Sequence, residues 1–214
     1  MTGLKIGNFH TYDDFKLKML SFEVSDPEVQ EQLQEVPGRN GVLDLSESLT
    51  GELTYKNRAI VAEFDMEEAD PETAKQKLKD IRNCIHGKYL KIIDDTEPEY
   101  YYEGRVKVSC KRKNYLFYII TITVDAQPYK LKHEETTVIA KVNGEAVVVC
   151  QNERMSIVPT IISDAEMNLV FNGLSYSIGA GTYILPDVKF VQGDNIITCT
   201  GTGTITFTYQ EGAL

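Results

Sequence analysis

The sequence contains no tryptophan, only three histidines and four cysteines, and nowhere a run of about 18 apolar residues. Without such a run a membrane-spanning helix is excluded. The longest β-rich stretch, Tyr115 to Val124, is broken by Thr121 and Thr123. Residues 1–10 show no basic segment followed by an apolar one, so no signal peptide is read and synthesis in the cytoplasm is expected. Cys84, Cys110, Cys150 and Cys199 form no Cys-x-x-Cys pair and are expected to be reduced, mostly buried thiols. A tetrahedral zinc site would need a second close pair beside Cys84 and His86, and none exists. There is no Gly-x-Ser-x-Gly elbow, and His10, His86 and His133 are too scattered to name a general base.

Positive charge is also scarce. Against 32 Asp+Glu there are 22 Lys+Arg, a formal net charge of -10, which disfavours phosphate binding because non-specific nucleic-acid affinity comes from clustered cations. The one basic cluster, Lys111-Arg112-Lys113, sits between two strand-like runs and reads as a solvated hairpin turn. The acidic stretch Asp94, Asp95, Glu97, Glu99 surrounds Pro98 and has neither the glycine nor the ligand periodicity of a calcium loop. Gly179-Ala-Gly181 and Gly201-Thr-Gly203 lack the lysine and following helix of a phosphate loop, and read as turns or bulges between strands. No cofactor, no metal and no enzymatic activity are expected.

What is present is a mainly β pattern in two textures. Residues 1–133 carry 19 Lys+Arg and 23 Asp+Glu, whereas 134–214 carry only 3 and 9 among many Thr, Val, Ile and Gly. Two domains divided there, 1–133 and 134–214, are expected, with Ala126 to Thr137 as the crossing. In the first, Lys16 to Ser25 alternates as a strand with Leu20, Phe22 and Val24 on one side. Residues 53–68 alternate with Ile60, Ala62, Phe64 and Met66 inward. Asp70-Pro71-Glu72 then caps a helix whose Leu78, Ile81 and Ile85 share a face and which Gly87 ends. Tyr89 to Ile93, Tyr100 to Cys110 and Tyr115 to Val124 predict three more strands, the last two a hairpin.

In the second domain, Asn143-Gly144 and Asn172-Gly173 each predict a type I′ hairpin turn, between 138–142 and 146–150 and between 167–171 and 174–178. A last pair, Asn195 to Thr200 and Thr204 to Tyr209, has Ile205, Phe207 and Tyr209 inward. Short strands and frequent turns over this length spell a β-sandwich or jelly roll. Tyr176, Tyr183 and Phe190 could serve a sugar, but at alternating strand positions they read as core.

One segment is distinctive: Val36-Pro37-Gly38-Arg39-Asn40-Gly41-Val42-Leu43-Asp44-Leu45, followed by Leu49-Thr50-Gly51 and by Tyr55-Lys56-Asn57-Arg58. Physically it is a turn opening a short apolar strand, with Arg39, Asp44 and Arg58 available for charged pairing. As a string it closely resembles the signature of the distal tail proteins of siphophages and prophages of Gram-positive hosts. The helix after Asp70, the Asp125-Ala-Gln-Pro-Tyr129 ending, and Gly193, Asn195, Ile197, Gly201 and Gly203 fall in the order that family shows, so the likeness covers nearly the whole chain.

The resemblance implies a structural protein of the virion tail tip, made in the host cytoplasm. The N-terminal ring-forming β-sandwich or split-barrel domain, with one α-helix, would assemble into a homo-hexameric ring. The C-terminal domain would be a galectin-like, jelly-roll β-sandwich outside it. Such a ring joins the tail tube protein to the tail-tip protein, holds receptor-binding or baseplate proteins in many phages, and lets DNA pass through its lumen without specific binding. The chain looks like the short form of the family. Pro37, Gly38, Arg39, Asn40, Gly41, Asp44 and Arg58 are the expected assembly motif. The rival reading is a carbohydrate-binding module contributing to cell-wall adsorption; a wall-degrading enzyme comes third.

Overall fold

A computed structural model describes residues 2–48, 50–68, 70–114 and 117–214. Leu49 of the family-like string and Tyr115, the expected start of a strand, lie outside the described residues. The chain is mainly β and divides into two compact units, Met1–Lys130 and Leu131–Leu214.

The first unit contains β1 (Leu4–Ile6), β2 (Phe9–His10), β3 (Lys18–Val24), β4 (Leu33–Glu35), β5 (Val42–Asp44), β6 (Arg58–Glu67), α1 (Pro71–Ile85), β7 (Tyr89–Asp94), β8 (Tyr100–Arg112) and β9 (Phe117–Ala126). Seven strands of this unit lie side by side, each antiparallel to its neighbour, in the order β2-β1-β7-β8-β9-β6-β3. The strict alternation of β6 buries Ile60, Ala62, Phe64 and Met66, as its sequence predicts, and β9 buries Ile120, Ile122 and Val124 beside them. These side chains form one core with Ala74, Ile81 and Ile85 of α1 and with Leu4 and Ile6 of β1. Phe64 and Ile81 are fully buried, each burial worth on the order of 2 kcal/mol. The helix begins where expected: Asp70 Oδ1 accepts the N–H groups of Glu72 and Thr73, both at 2.9 Å, and Pro71 fills the first helical position.

Strand β3 corrects one expectation. Leu20 does not share the inner face with Phe22 and Val24; the register slips between Met19 and Ser21, and Leu20 is 54 % exposed. A bulge adds one residue to the strand, so Met19 packs inward with Phe22 and Val24.

The second unit contains β10 (Lys130–Lys132, at the boundary between the units), β11 (Thr136–Asn152), β12 (Thr160–Ser163), β13 (Met167–Phe171), β14 (Leu174–Ile178), β15 (Gly181–Ile184), β16 (Gly193–Tyr209) and β17 (Gly212–Ala213). Its frame is a correction of the sequence reading. Neither Asn143-Gly144 nor Gly201-Thr-Gly203 turns the chain: β11 and β16 are each 17 residues long and pair along their whole length, Thr136 opposite Tyr209 and Asn152 opposite Gly193. The first half of β16 pairs with β13, and β13 with β14; the second half pairs with β12, and β12 with β15.

The inner face continues unbroken along β16 through Ile197, Cys199, Ile205, Phe207 and Tyr209, all buried. They join one core around Phe190, whose ring lies 6.0 Å from Phe171, 6.3 Å from Phe207 and 5.1 Å from Tyr209. Asn172-Gly173 does turn the chain. Both residues have positive φ, 47° and 80°, and Phe171 lies opposite Leu174, as a two-residue hairpin requires.

Candidate assembly site

The segment that carries the family-like string leaves the sheet after β3 and returns at β6. Its stem is laced by backbone bonds. Ser25 N–H donates to Ala59 O at 2.9 Å, Lys56 N–H to Glu28 O at 2.7 Å, Gln30 N–H to Thr54 O at 2.8 Å and Leu45 N–H to Gln32 O at 2.8 Å. An ion pair between Lys56 and Glu28, 3.0 Å, spans the same stem. Beyond it, β4 and β5 make a separate two-stranded ribbon, with Leu33 opposite Asp44 and Glu35 opposite Val42.

The tip of this ribbon is residues 36–41. Arg39 N–H donates to Val36 O at 3.1 Å and Gly38 has φ 83°, which with Pro37 before it gives the geometry of a type II turn. Gly41 also has positive φ, 77°. Pro37, Gly38, Arg39, Asn40 and Gly41 are all exposed, and so are the apolar Leu33 (52 %), Val36 (40 %) and Val42 (48 %). A two-stranded ribbon with uncovered apolar side chains gains little from its own packing, since isolated hairpins are marginal in water.

The three charged residues of the motif are not brought together as a charge cluster. Asp44 is engaged locally: Oδ1 accepts from the Ser46 hydroxyl at 2.6 Å and from Ser46 N–H at 2.9 Å, and these bonds hold its carboxyl below the usual carboxylate range. Arg58 lies at the root, not the tip. It opens β6 opposite Ala126, is only 4 % exposed, and holds its guanidinium carbon 5.6 Å from the centre of the Tyr102 ring. Its Nε and Nη2 have no hydrogen-bond partner among the described residues. The root is further braced by Asn57, which donates to Asp125 Oδ1 at 3.0 Å, and by the edge-on contact of Tyr55 with Tyr129. Sequence spacing missed this separation, because a buried Arg beside a Tyr two strands away leaves no local signal.

The remaining acidic, histidine and aromatic side chains with chemical potential make structural contacts. Asp95 accepts Gly3 N–H at 2.7 Å and lies 3.1 Å from His10 Nε2, while Glu97 pairs with Lys130 at 2.5 Å. His86 caps α1, and its Nδ1 accepts Val108 N–H at 2.9 Å. Phe190 is fully buried, and Tyr176 and Tyr183 are half-buried against the same core. A cleft of about 620 Å³ in the second unit is lined by Lys132, Thr136, Glu153 and Glu211, which are bonded to one another. Burial opposes the Lys132 charge, but the hydrogen bonds to Glu211 and Glu153 outweigh it and raise its pKa.

No family model matches the chain, and no curated protein matches it. Among solved structures it is similar to the crystal structure of the SPP1 Dit (gp 19.1) protein, described as a paradigm of the hub adsorption apparatus in phages infecting Gram-positive bacteria. The TM-score is 0.70 at 15 % sequence identity, over 98 % of this chain and 99 % of that one. At that identity the likeness establishes the fold, from end to end.

Proposed function

We propose that this chain is a structural, non-enzymatic hub protein of a phage tail tip. Residues 1–133 assemble into a ring, a homo-hexamer, and residues 134–214 form a β-sandwich carried outside it. The ring joins the tail tube protein to the tail-tip protein, presents sites for receptor-binding or baseplate proteins, and lets DNA pass without specific contact. The observation that carries the reading is the likeness in fold over the full length of both chains, to a protein described as part of a hub adsorption apparatus. The protruding ribbon supports it. A stem fixed by backbone bonds, bearing uncovered Leu33, Val36 and Val42, is suited to lie against another copy of the chain, where those side chains leave water. The net charge of -10 agrees with a lumen that does not hold DNA.

Negative-stain images and native mass of the purified full chain, alone and with its tail neighbours, test the proposal. Closed rings of one copy number are the expected result. A chain that stays monomeric with both neighbours present overturns it.

A further inference from the structure

The chain holds three Asn-Gly steps, Asn40-Gly41, Asn143-Gly144 and Asn172-Gly173. Asparagine is a chemically labile residue, and most labile before glycine, where no Cβ shields the next peptide nitrogen or restricts the backbone. All six residues are exposed, so water reaches each step. What separates the steps is backbone freedom. Bringing the glycine nitrogen onto the asparagine Cγ requires the asparagine ψ to swing, one of the two soft dihedrals of the residue.

Two of the steps are held. Asn143 lies opposite Thr202 and Gly144 opposite Gly201 in the unbroken ladder of β11 with β16, so a swing at Asn143 breaks that ladder. Asn172 and Gly173 form the whole turn of the hairpin that pairs Phe171 with Leu174, and a swing there draws the buried Phe171 from its core. Asn40-Gly41 is free. It lies between the turn closed by Arg39 N–H on Val36 O and the start of β5, and among the described residues neither Asn40 nor Gly41 has a hydrogen-bond partner. A Cβ on Gly41 would meet nothing within 4 Å, so nothing packs over the step. The ribbon that carries it has three residues in each strand, none of them buried, and such a unit opens at low cost.

We propose that Asn40-Gly41 is a self-modifying site whose conversion withdraws unassembled chains from assembly. The Gly41 nitrogen bonds to Asn40 Cγ, the side-chain nitrogen leaves as ammonia with the proton from Gly41 N–H, and a cyclic imide remains. Water then opens the imide. Cleavage between Cγ and nitrogen leaves Asp at position 40; cleavage between the backbone carbonyl carbon and nitrogen leaves isoaspartate, with the main chain routed through Cβ and Cγ. Water is the only co-reactant, and no electron is transferred. Either product sets a carboxylate beside Arg39, on a ribbon whose Leu33, Val36 and Val42 are uncovered, and burying that charge together with the apolar side chains is costly. This consequence rests on the ribbon being a contact between copies of the chain. Packing in a ring holds the tip and stops the swing, so conversion marks chains by the time they spend unassembled.

Peptide mass mapping of the full chain, aged in mildly alkaline buffer and sampled over time, tests it through the gain of about 1 Da as an amide becomes a carboxyl. In the folded chain, position 40 is expected to convert at least about tenfold faster than positions 143 and 172. In urea the three rates are expected to converge, because neither ladder nor hairpin then holds the backbone. When the aged sample is separated by size, converted chains are expected to be enriched at least about tenfold in the unassembled fraction over the ring fraction. Freshly made Asn40→Asp, with circular dichroism like the parent, is expected to show the same exclusion from rings at once. Conversion first at position 143 or 172, no preference among the three, converted chains present in rings at the parent's proportion, or Asn40→Asp assembling like the parent overturns the proposal. Rings from a chain whose Asn40 stays intact on ageing sink this site and leave the ring. Selective conversion at position 40 in a chain that never forms rings sinks the ring, and the consequence for assembly with it, and leaves the site.

Discussion

The Asp164 carboxylate occupies the space that a side chain on Gly203 would need, while its Oδ1 accepts the N–H of Thr204 at 2.6 Å. Gly203 sits where β16 stops pairing with β13 and starts pairing with β12, and the short link from β12 to β13 passes over it. Its φ of 157° is a second reason for glycine there. Gly203→Ala is expected to cost about 2–4 kcal/mol, and Asp164→Ala about 1–2 kcal/mol for the lost hydrogen bond. Because removing the carboxylate removes the nearest of the atoms a side chain on Gly203 would meet, leaving Ala165 Cβ at 2.8 Å and Met167 Cε at 2.9 Å, the double variant should lose less than the sum. Urea denaturation of all four proteins measures the cycle; strictly additive losses would mean the two residues do not act on each other.

Much of the fold was legible in the sequence where period and capping agreed. The alternation of β6, the Asp70-Pro71 start of α1 and the Asn172-Gly173 turn are all local devices whose residues do in the structure what their chemistry favours. The long strands were not legible, because the same dipeptide serves two purposes. At Asn172-Gly173 both φ are positive and the inner face changes from odd to even residues; at Asn143-Gly144 only Gly144 has positive φ, 88°, and even residues stay inward on both sides. A hairpin at Asn143-Gly144 would have set Glu145 opposite Val142 on the core face, a penalty the sequence does display. The site was half legible. Pro37 to Gly41 form the exposed tip their turn chemistry predicts, but the burial of Arg58 against Tyr102 depends on pairing between distant strands.

At the tip, Gly38 and Gly41 both need positive φ, yet a Cβ on either would meet nothing within 4 Å. The cost of Gly38→Val or Gly41→Val is therefore backbone strain confined to the ribbon, about 1–2 kcal/mol locally, with the sheet core untouched. Each variant is expected to keep the parent melting temperature of the main transition and to assemble less well in light scattering. Unchanged assembly in both would remove the ribbon tip from the interface.

The second unit should weaken in alkali. Burial, with Cys199 nearby, pushes the Cys150 thiol up to about 12, and burial pushes Cys199 up to about 11, from an ordinary value of 9.0. Burial likewise raises Tyr209. All three hold their protons more tightly folded than unfolded, so their contribution is complete below about pH 9 and is lost as pH rises toward 12. Urea midpoints taken at about pH 8, 9.5 and 11 should fall, and Cys150→Val with Cys199→Val should flatten the fall. The same burial should leave both thiols unlabelled by a thiol reagent at about pH 8 until the chain unfolds. A midpoint that does not move with pH, or a slope unchanged by the two substitutions, would contradict this account.

Arg58 is buried at a cost to the fold. It is only 4 % exposed, and its guanidinium, with Nε and Nη2 unpaired among the described residues, costs desolvation that its contact with Tyr102 returns only in part. Arg58→Met keeps an unbranched stem of similar length against the ring and removes the charge. It is expected to leave the chain as stable or to raise stability by about 1–2 kcal/mol. Arg58→Ala instead leaves a void beside Tyr102 and lowers stability by about 1–3 kcal/mol. If the guanidinium is retained because it braces the root of the ribbon for self-association, Arg58→Met should melt no lower than the parent and yet form fewer rings. Calorimetry and scattering on the same samples decide it: a less stable Arg58→Met shows the charge to be part of the fold, and a stable variant that assembles fully shows that assembly does not use it.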